Sequence, residues 1–139
     1  SATWQITGVQ LELGKVATPF EHRSYGEELA LCQRYCINIG GDTYLGLAVG
    51  QVMSTTNTLF SFLFPQTMRA APTISFSNLI VSDRIVFDSA VSGLTIQKTS
   101  DSSTQFKTTN AATGAANRQA VNLSVANAST GYLRFEAEL

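Results

Sequence analysis

The sequence predicts an all-β protein: an antiparallel β-sandwich of jelly-roll type, preceded by one N-terminal strand and one short helix. Three observations carry that expectation. From residue 42 onward apolar side chains recur with period two. Turn residues interrupt this pattern at short intervals, leaving about eight short strands in a hundred residues, as sandwiches do. Only one stretch, RSYGEELALCQRYC at 23–36, carries helix signals. The chain has 139 residues, enough for one domain with its own core.

The elements follow in order. In TWQITGVQLEL (3–13), Val9, Leu11 and Leu13 point one way and Gln10 and Glu12 the other, the pattern of a half-buried strand closed by Gly14. KVATPFEH (15–22) is an extended connector, because Pro19 holds Thr18 out of helical geometry. Ser24 is an N-cap residue, and Glu27 three positions on completes a capping box. Leu29, Cys32 and Cys36 form one helical stripe, Leu31 and Tyr35 a second beside it, and Gly40-Gly41 stops the helix. A helix of this length is marginal in water, so it needs a partner: its own sandwich or another chain. The chain therefore divides into an N-terminal strand and connector (1–21), a helix segment (22–41) and a β domain (42–139).

Within the β domain the expected strands are 43–53, 57–64, 72–78, 84–88, 91–98, 104–108, 119–127 and 131–138. Ile74 and Phe76 alternate with Thr73 and Ser75, Val121, Leu123 and Val125 with Asn122 and Ser124, and Leu133, Phe135 and Ala137 with Arg134 and Glu136. The 57–64 segment is apolar on both faces, which predicts a strand that is central or covered on its outer side. Residues 99–118, TSDSSTQFKTTNAATGAANR, are small and polar around a single large apolar residue, Phe106, and read as a long loop holding a short strand.

Composition narrows the function. Charged residues make up 14% of the chain, against about 25% in ordinary soluble domains, and hydroxyl and amide side chains replace them. Such surfaces suit secreted or particle-bound proteins and subunits that pack on copies of themselves. The net charge is −1 with no Lys/Arg cluster, which argues against nucleic acid, and no apolar run reaches the roughly 18 residues of a membrane span. No signal peptide is evident, and the chain opens at Ser1 in mid-pattern, as a piece of a longer protein would. Cys32 and Cys36, four apart on a helix, are badly placed for a mutual disulfide and lack partners for a zinc site. They read as buried reduced thiols or as contacts between subunits.

Catalysis finds no support. His22 is the sole histidine, no G-x-S-x-G elbow or D-x-D-x-D-G loop occurs, and no pair stands out among Asp42, Asp83, Asp88, Asp101, Glu136 and Glu138. The reading is therefore no catalytic residue, no metal and no cofactor. Ligand binding fits better. The 99–118 segment supplies Asp101, Gln105, Lys107, Asn110, Asn117 and Arg118, hydrogen-bonding side chains suited to sugars, and Tyr44 and Tyr132 supply aromatic faces.

The run WQITGVQLELGKVATPFEHRSYGEELALCQRYC resembles a junction found in tail fibre proteins of bacteriophages and prophages. Its common form is an aromatic, I-T-G-V-Q-L-E-x-G, A-T-P-F-E, then Y-G-x-E-L-x-L-C-Q-R-Y; Cys36 stands where that pattern has an aromatic. FPQTMRAAPTISFS (64–77) is similar to the family's M-R-x-x-P-T strand and FEAEL to its ending; residues 79–130 match no motif. The resemblance implies a C-terminal receptor-binding tip of a fibre. The first strand would close an upstream lectin-like module, with Trp4 in that module's packing, and the helix would be a neck. The assembly would be a homotrimer with Leu29, Leu31, Cys32 and Tyr35 at the interface. Its target would be bacterial surface polysaccharide, reached from the virion without membrane insertion. The alternative is a trimerisation cap that leaves host binding to another module.

Overall fold

The computed structural model describes residues 3, 5–7, 9–16, 18–20, 22–83, 88–110, 118–127 and 129–137. They form one helix, α1 (Tyr25–Gln33), and nine strands: β1 (Cys36–Gly40), β2 (Gly46–Ser54), β3 (Asn57–Leu63), β4 (Thr73–Ser77), β5 (Leu79–Ser82), β6 (Asp88–Thr99), β7 (Ser103–Asn110), β8 (Ala120–Val125) and β9 (Tyr132–Glu136). Every ladder is antiparallel. The all-β class therefore holds. Trp4, Asn117, Glu138 and all of the expected strand at 84–88 except Asp88 lie outside the described residues.

Six strands close into a barrel in the order β2-β3-β7-β6-β5-β8, and β1, β9 and β4 form a separate sheet with β9 in the middle. The two parts are continuous. β4 runs into β5 through Asn78 alone, whose φ of 48° turns the chain at a shared corner. Asn78 fixes that corner: its carbonyl accepts the Ala126 N–H at 2.8 Å and its side-chain amide donates to the Thr130 hydroxyl at 2.9 Å. Gly40 (φ 142°) meets the same corner so closely that a Cβ there would lie 2.2 Å from the Gly131 carbonyl oxygen.

The inner face of the three-stranded sheet reads directly off the ladder. Ile37 and Ile74 flank Phe135, and Ile39 and Phe76 flank Leu133. Phe135 is fully buried and packs on the rings of Phe62 (5.0 Å), Phe64 (5.1 Å) and Phe106 (6.5 Å), so this sheet lies over the wall made by β3 and β7. Phe60, Phe106, Val52, Leu79, Val81, Val121, Leu123 and Val125 fill the same core. The three-stranded sheet thus forms a layer packed on one wall of the closed barrel.

Three expectations need correction. The strand expected at 104–108 is no short piece inside a long loop: it runs over Ser103–Asn110 and is the central strand of the β3-β7-β6 wall. Its inward side chains are Thr104, Phe106, Thr108 and Asn110, which hide polar groups inside the barrel and so erase the apolar alternation. The helix ends at Gln33, not at Gly40-Gly41, because Cys-Ile-Asn-Ile alternates and pairs with β9. Residues 57–64 supply a central strand, one of the two arrangements expected of them: β3 pairs with β2 and β7, and its outer side stays open at Leu63, which is 80% exposed. The described residues of 3–20 form no strand at all: Val9, Leu11 and Leu13 alternate as expected, but in the open.

Candidate functional site

The outer wall of β3, β7 and β6 is where candidate ligand-binding residues converge. Successive residues of a strand face opposite sides, and β7 puts Ser103, Gln105, Lys107 and Thr109 outward. Cross-strand partners share a face. Gln105 lies between Ser61 of β3 and Lys98 of β6, and Lys107 between Leu59 and Thr95. At the lower end of this wall is a shallow depression of about 360 Å³, lined by Ser61, Leu63, Lys98, Ser100, Ser103 and Gln105 among others.

Its rim is a tight turn. The Ser100 N–H donates to the Ser103 carbonyl at 2.8 Å, while the Ser100 hydroxyl accepts the N–H groups of Ser102 (3.3 Å) and Ser103 (3.1 Å). A second segment braces the turn: Phe64 N–H donates to Ser102 O at 3.0 Å, and Met68 N–H to Asp101 O at 2.7 Å, with the Met68 side chain buried. The hydroxyls are therefore held by backbone rather than left to wander, and the exposed Leu63 supplies an apolar surface beside them.

The other sequence candidates fall elsewhere. Asp101 is exposed in the β6–β7 turn and does not line the depression. Asn110 is only 4% exposed; it points into the barrel, where its amide donates to the Thr58 hydroxyl at 2.9 Å and its Oδ1 has no partner. It is on β7 with inward parity, so it does not share the Gln105 face. Arg118 (φ 68°) sits at the opposite end of the barrel, its N–H donating to Val52 O at 2.7 Å. Tyr44 is half-exposed in the turn after β1, with φ 58°. Tyr132 lies on the outer face of the three-stranded sheet, with the Arg134 guanidinium 4.9 Å from its ring centroid, so one ring face is already occupied. Arg134 also donates to Asn38 Oδ1 at 3.4 Å and lies 3.8 Å from Glu136.

The second notable surface surrounds α1. Ser24 caps α1 with a complete box: its hydroxyl accepts the Glu27 N–H at 3.3 Å, and the Glu27 carboxylate accepts the Ser24 N–H and hydroxyl, each at 2.9 Å. These bonds hold the Glu27 carboxyl below its ordinary pKa, the Ser24 backbone N–H contributing most. Although well capped, α1 buries none of its residues. Leu29 and Leu31 are each 41% exposed, Tyr35 is nearly half-exposed, and both cysteines are exposed, which overturns the reading of them as buried thiols. The helix therefore buries no residue against its own β domain. A depression of about 650 Å³ runs beside it, lined by His22, Leu31, Arg34 and Gln66 among others. Upstream, Glu12 accepts hydrogen bonds from the Thr18 hydroxyl and N–H, bonds that lower its pKa and tie the exposed row of Val9, Leu11 and Leu13 into a local turn.

Among the described residues no group of three or more His, Cys, Asp or Glu side chains is placed to hold a metal ion, and no helix is long and apolar enough to cross a membrane. Comparison with known proteins finds no matching family model, no matching curated protein and no matching solved structure.

Proposed function

We propose that this chain is the receptor-binding tip of a bacteriophage tail fibre, a homotrimer displayed on the virion that attaches to bacterial surface polysaccharide. The observation that carries the reading is the apolar surface left over by one chain: Leu29, Leu31 and Tyr35 on the neck are only partly covered within their own subunit, and Val9, Leu11 and Leu13 before it are largely exposed. Two sister chains of the same sequence offer the complementary greasy rows, and burying them is the main favourable term available for association. The junction motif of residues 4–36 points the same way.

In this reading the two layers joined as a barrel are one elaboration of a jelly-roll-like sandwich, and each subunit presents its β3-β7-β6 wall outward. Sugars are held by hydroxyl and amide groups with an apolar patch against the ring, and Ser61, Ser103, Gln105 and Leu63 supply these. Attachment is reversible and breaks no bond. Three weak sites on one tip raise avidity by orders of magnitude without new contacts.

An array of purified bacterial capsular and lipopolysaccharide glycans, probed with the assembled chain, tests this. Binding to a defined subset, lost in Gln105→Ala, is expected. No binding to any glycan, together with intact trimer, would replace the receptor reading with that of a trimerisation cap.

A further inference from the structure

Resting on that glycan-binding reading, we infer that the depression at the lower end of the β3-β7-β6 wall takes an acidic glycan, one carrying carboxylate or phosphate, and that Lys98 and Lys107 recognise its charge. The chain has only three lysines, and two of them stand on this wall in neighbouring rows, although the protein as a whole has a net charge of −1. Gln105 sits between them: it pairs across the ladder with Lys98 and lies two residues from Lys107 on the same strand face. Neither ammonium group is held in an ion pair among the described residues, and the Gln105 amide makes no side-chain hydrogen bond there. No carboxylate lines the depression. The nearest in sequence, Asp101, stands exposed in the turn between β6 and β7.

Edge protection accounts for part of this pattern but not all of it. β6 pairs with β5 only at residues 88–90, so the remainder of that strand carries a free edge, and a lysine there discourages further strand addition. That explains Lys98. It does not explain Lys107, because β7 is hydrogen-bonded on both sides, to β3 and to β6. A cation in mid-wall has no edge to guard, and no carboxylate stands opposite it: its cross-strand partners are Leu59 and Thr95. A lysine is a compact, mobile point charge, suited to meeting the carboxylate or phosphate of a flexible chain. The hydroxyls and the amide then fix the neutral part of the sugar, and Leu63 lies under its apolar face.

The test uses the whole chain on purified bacterial polysaccharides in three groups: neutral, uronic-acid-containing and phosphodiester-linked. Each uronic-acid glycan is also spotted in carboxyl-reduced form. Binding confined to the acidic groups is expected. Reduction of the carboxyls should abolish it for the uronic-acid group, and which group binds separates the two sources of charge. By solution titration with a bound oligosaccharide, Lys98→Ala and Lys107→Ala should each weaken per-site affinity roughly two- to fivefold, and the pair about tenfold. The salt dependence should flatten in the double variant, while Asp101→Asn should tighten binding. Both lysines are on the surface, so an unchanged melting temperature verifies folding. Binding to neutral glycans that Gln105→Ala abolishes and the double lysine variant leaves intact would sink the charge assignment while sparing the glycan reading. Binding to no glycan at all would overturn both.

Discussion

Replacing Leu29 and Leu31 together by Asp should break the assembly and leave the single chain folded. Each leucine is 41% exposed within its own subunit. Full burial of a leucine is worth about 1.5–3 kcal/mol, so covering the residual surface contributes about 0.6–1.2 kcal/mol per residue. That is about 1–2.5 kcal/mol per subunit from these two positions, or a factor of roughly five to seventy in association, and a trimer counts it three times. Aspartate removes this term and also places a carboxylate where water is to be expelled, at a further cost of several kcal/mol per ion. Because α1 buries no residue in its own chain, the core around Phe135 and Leu123 is untouched, and the melting profile of the separated chain should show a cooperative transition. Sedimentation velocity at micromolar concentration is the assay. Wild type should run as a trimer and the double variant as a monomer. A wild type that runs as one chain, or a variant that stays trimeric, would refute the reasoning.

Other consequences are local to the fold. Phe135→Ala, which empties the space among Phe62, Phe64 and Phe106, should cost about 3–5 kcal/mol and lower the melting temperature by roughly 10–20 °C; a change under ~1 kcal/mol would contradict the packing of the three-stranded sheet on the barrel wall. Gly131→Ala puts a Cβ 2.3 Å from a Val125 methyl and 2.9 Å from the Asn78 carbonyl, so it should destabilise by about 1–3 kcal/mol in chemical denaturation. Ser24→Ala removes the cap of α1 and should weaken the helix by about 0.5–2 kcal/mol, visible as faster amide exchange in its first turn. The Glu27 carboxyl is lowered by its bonds from Ser24, so its support for the cap is complete above the ordinary carboxylate value of 4.5 and fades as pH falls through the lower folded-state value. First-turn amides should therefore lose protection below about pH 4.5 in the wild type, and Glu27→Ala should remove that pH dependence.

Much of this was legible in the sequence wherever neighbours in sequence decide the outcome. The box between Ser24 and Glu27 closes over three residues, and it forms as read. The alternations of Ile74 with Phe76, and of Leu133, Phe135 and Ala137, turn inward as read. Among the candidate ligand residues, parity alone separates Gln105 and Lys107 from Asn110, a distinction available once 103–110 is known to be a strand. The sequence shows that strand only over 104–108 and leaves Asn110 outside it, because Thr104, Thr108 and Asn110 face a polar stretch of barrel interior and mimic a loop. Gln105 could be listed from composition, but Lys98, Ser61 and Leu63 could not be grouped with it, since they come from two other strands.

The amino-acid sequence by itself determined the all-β class, the capped helix and the inward face of most strands, because each follows from propensity and side-chain period over a few residues. Only the tertiary structure decided that six strands close into a barrel, that Lys98 and Lys107 share a wall, and that α1 is left without a buried residue. Those depend on pairings such as Ile37 with Phe135 or Phe60 with Phe106, across 46 to 98 residues of chain, where the register of one strand is set by all the others.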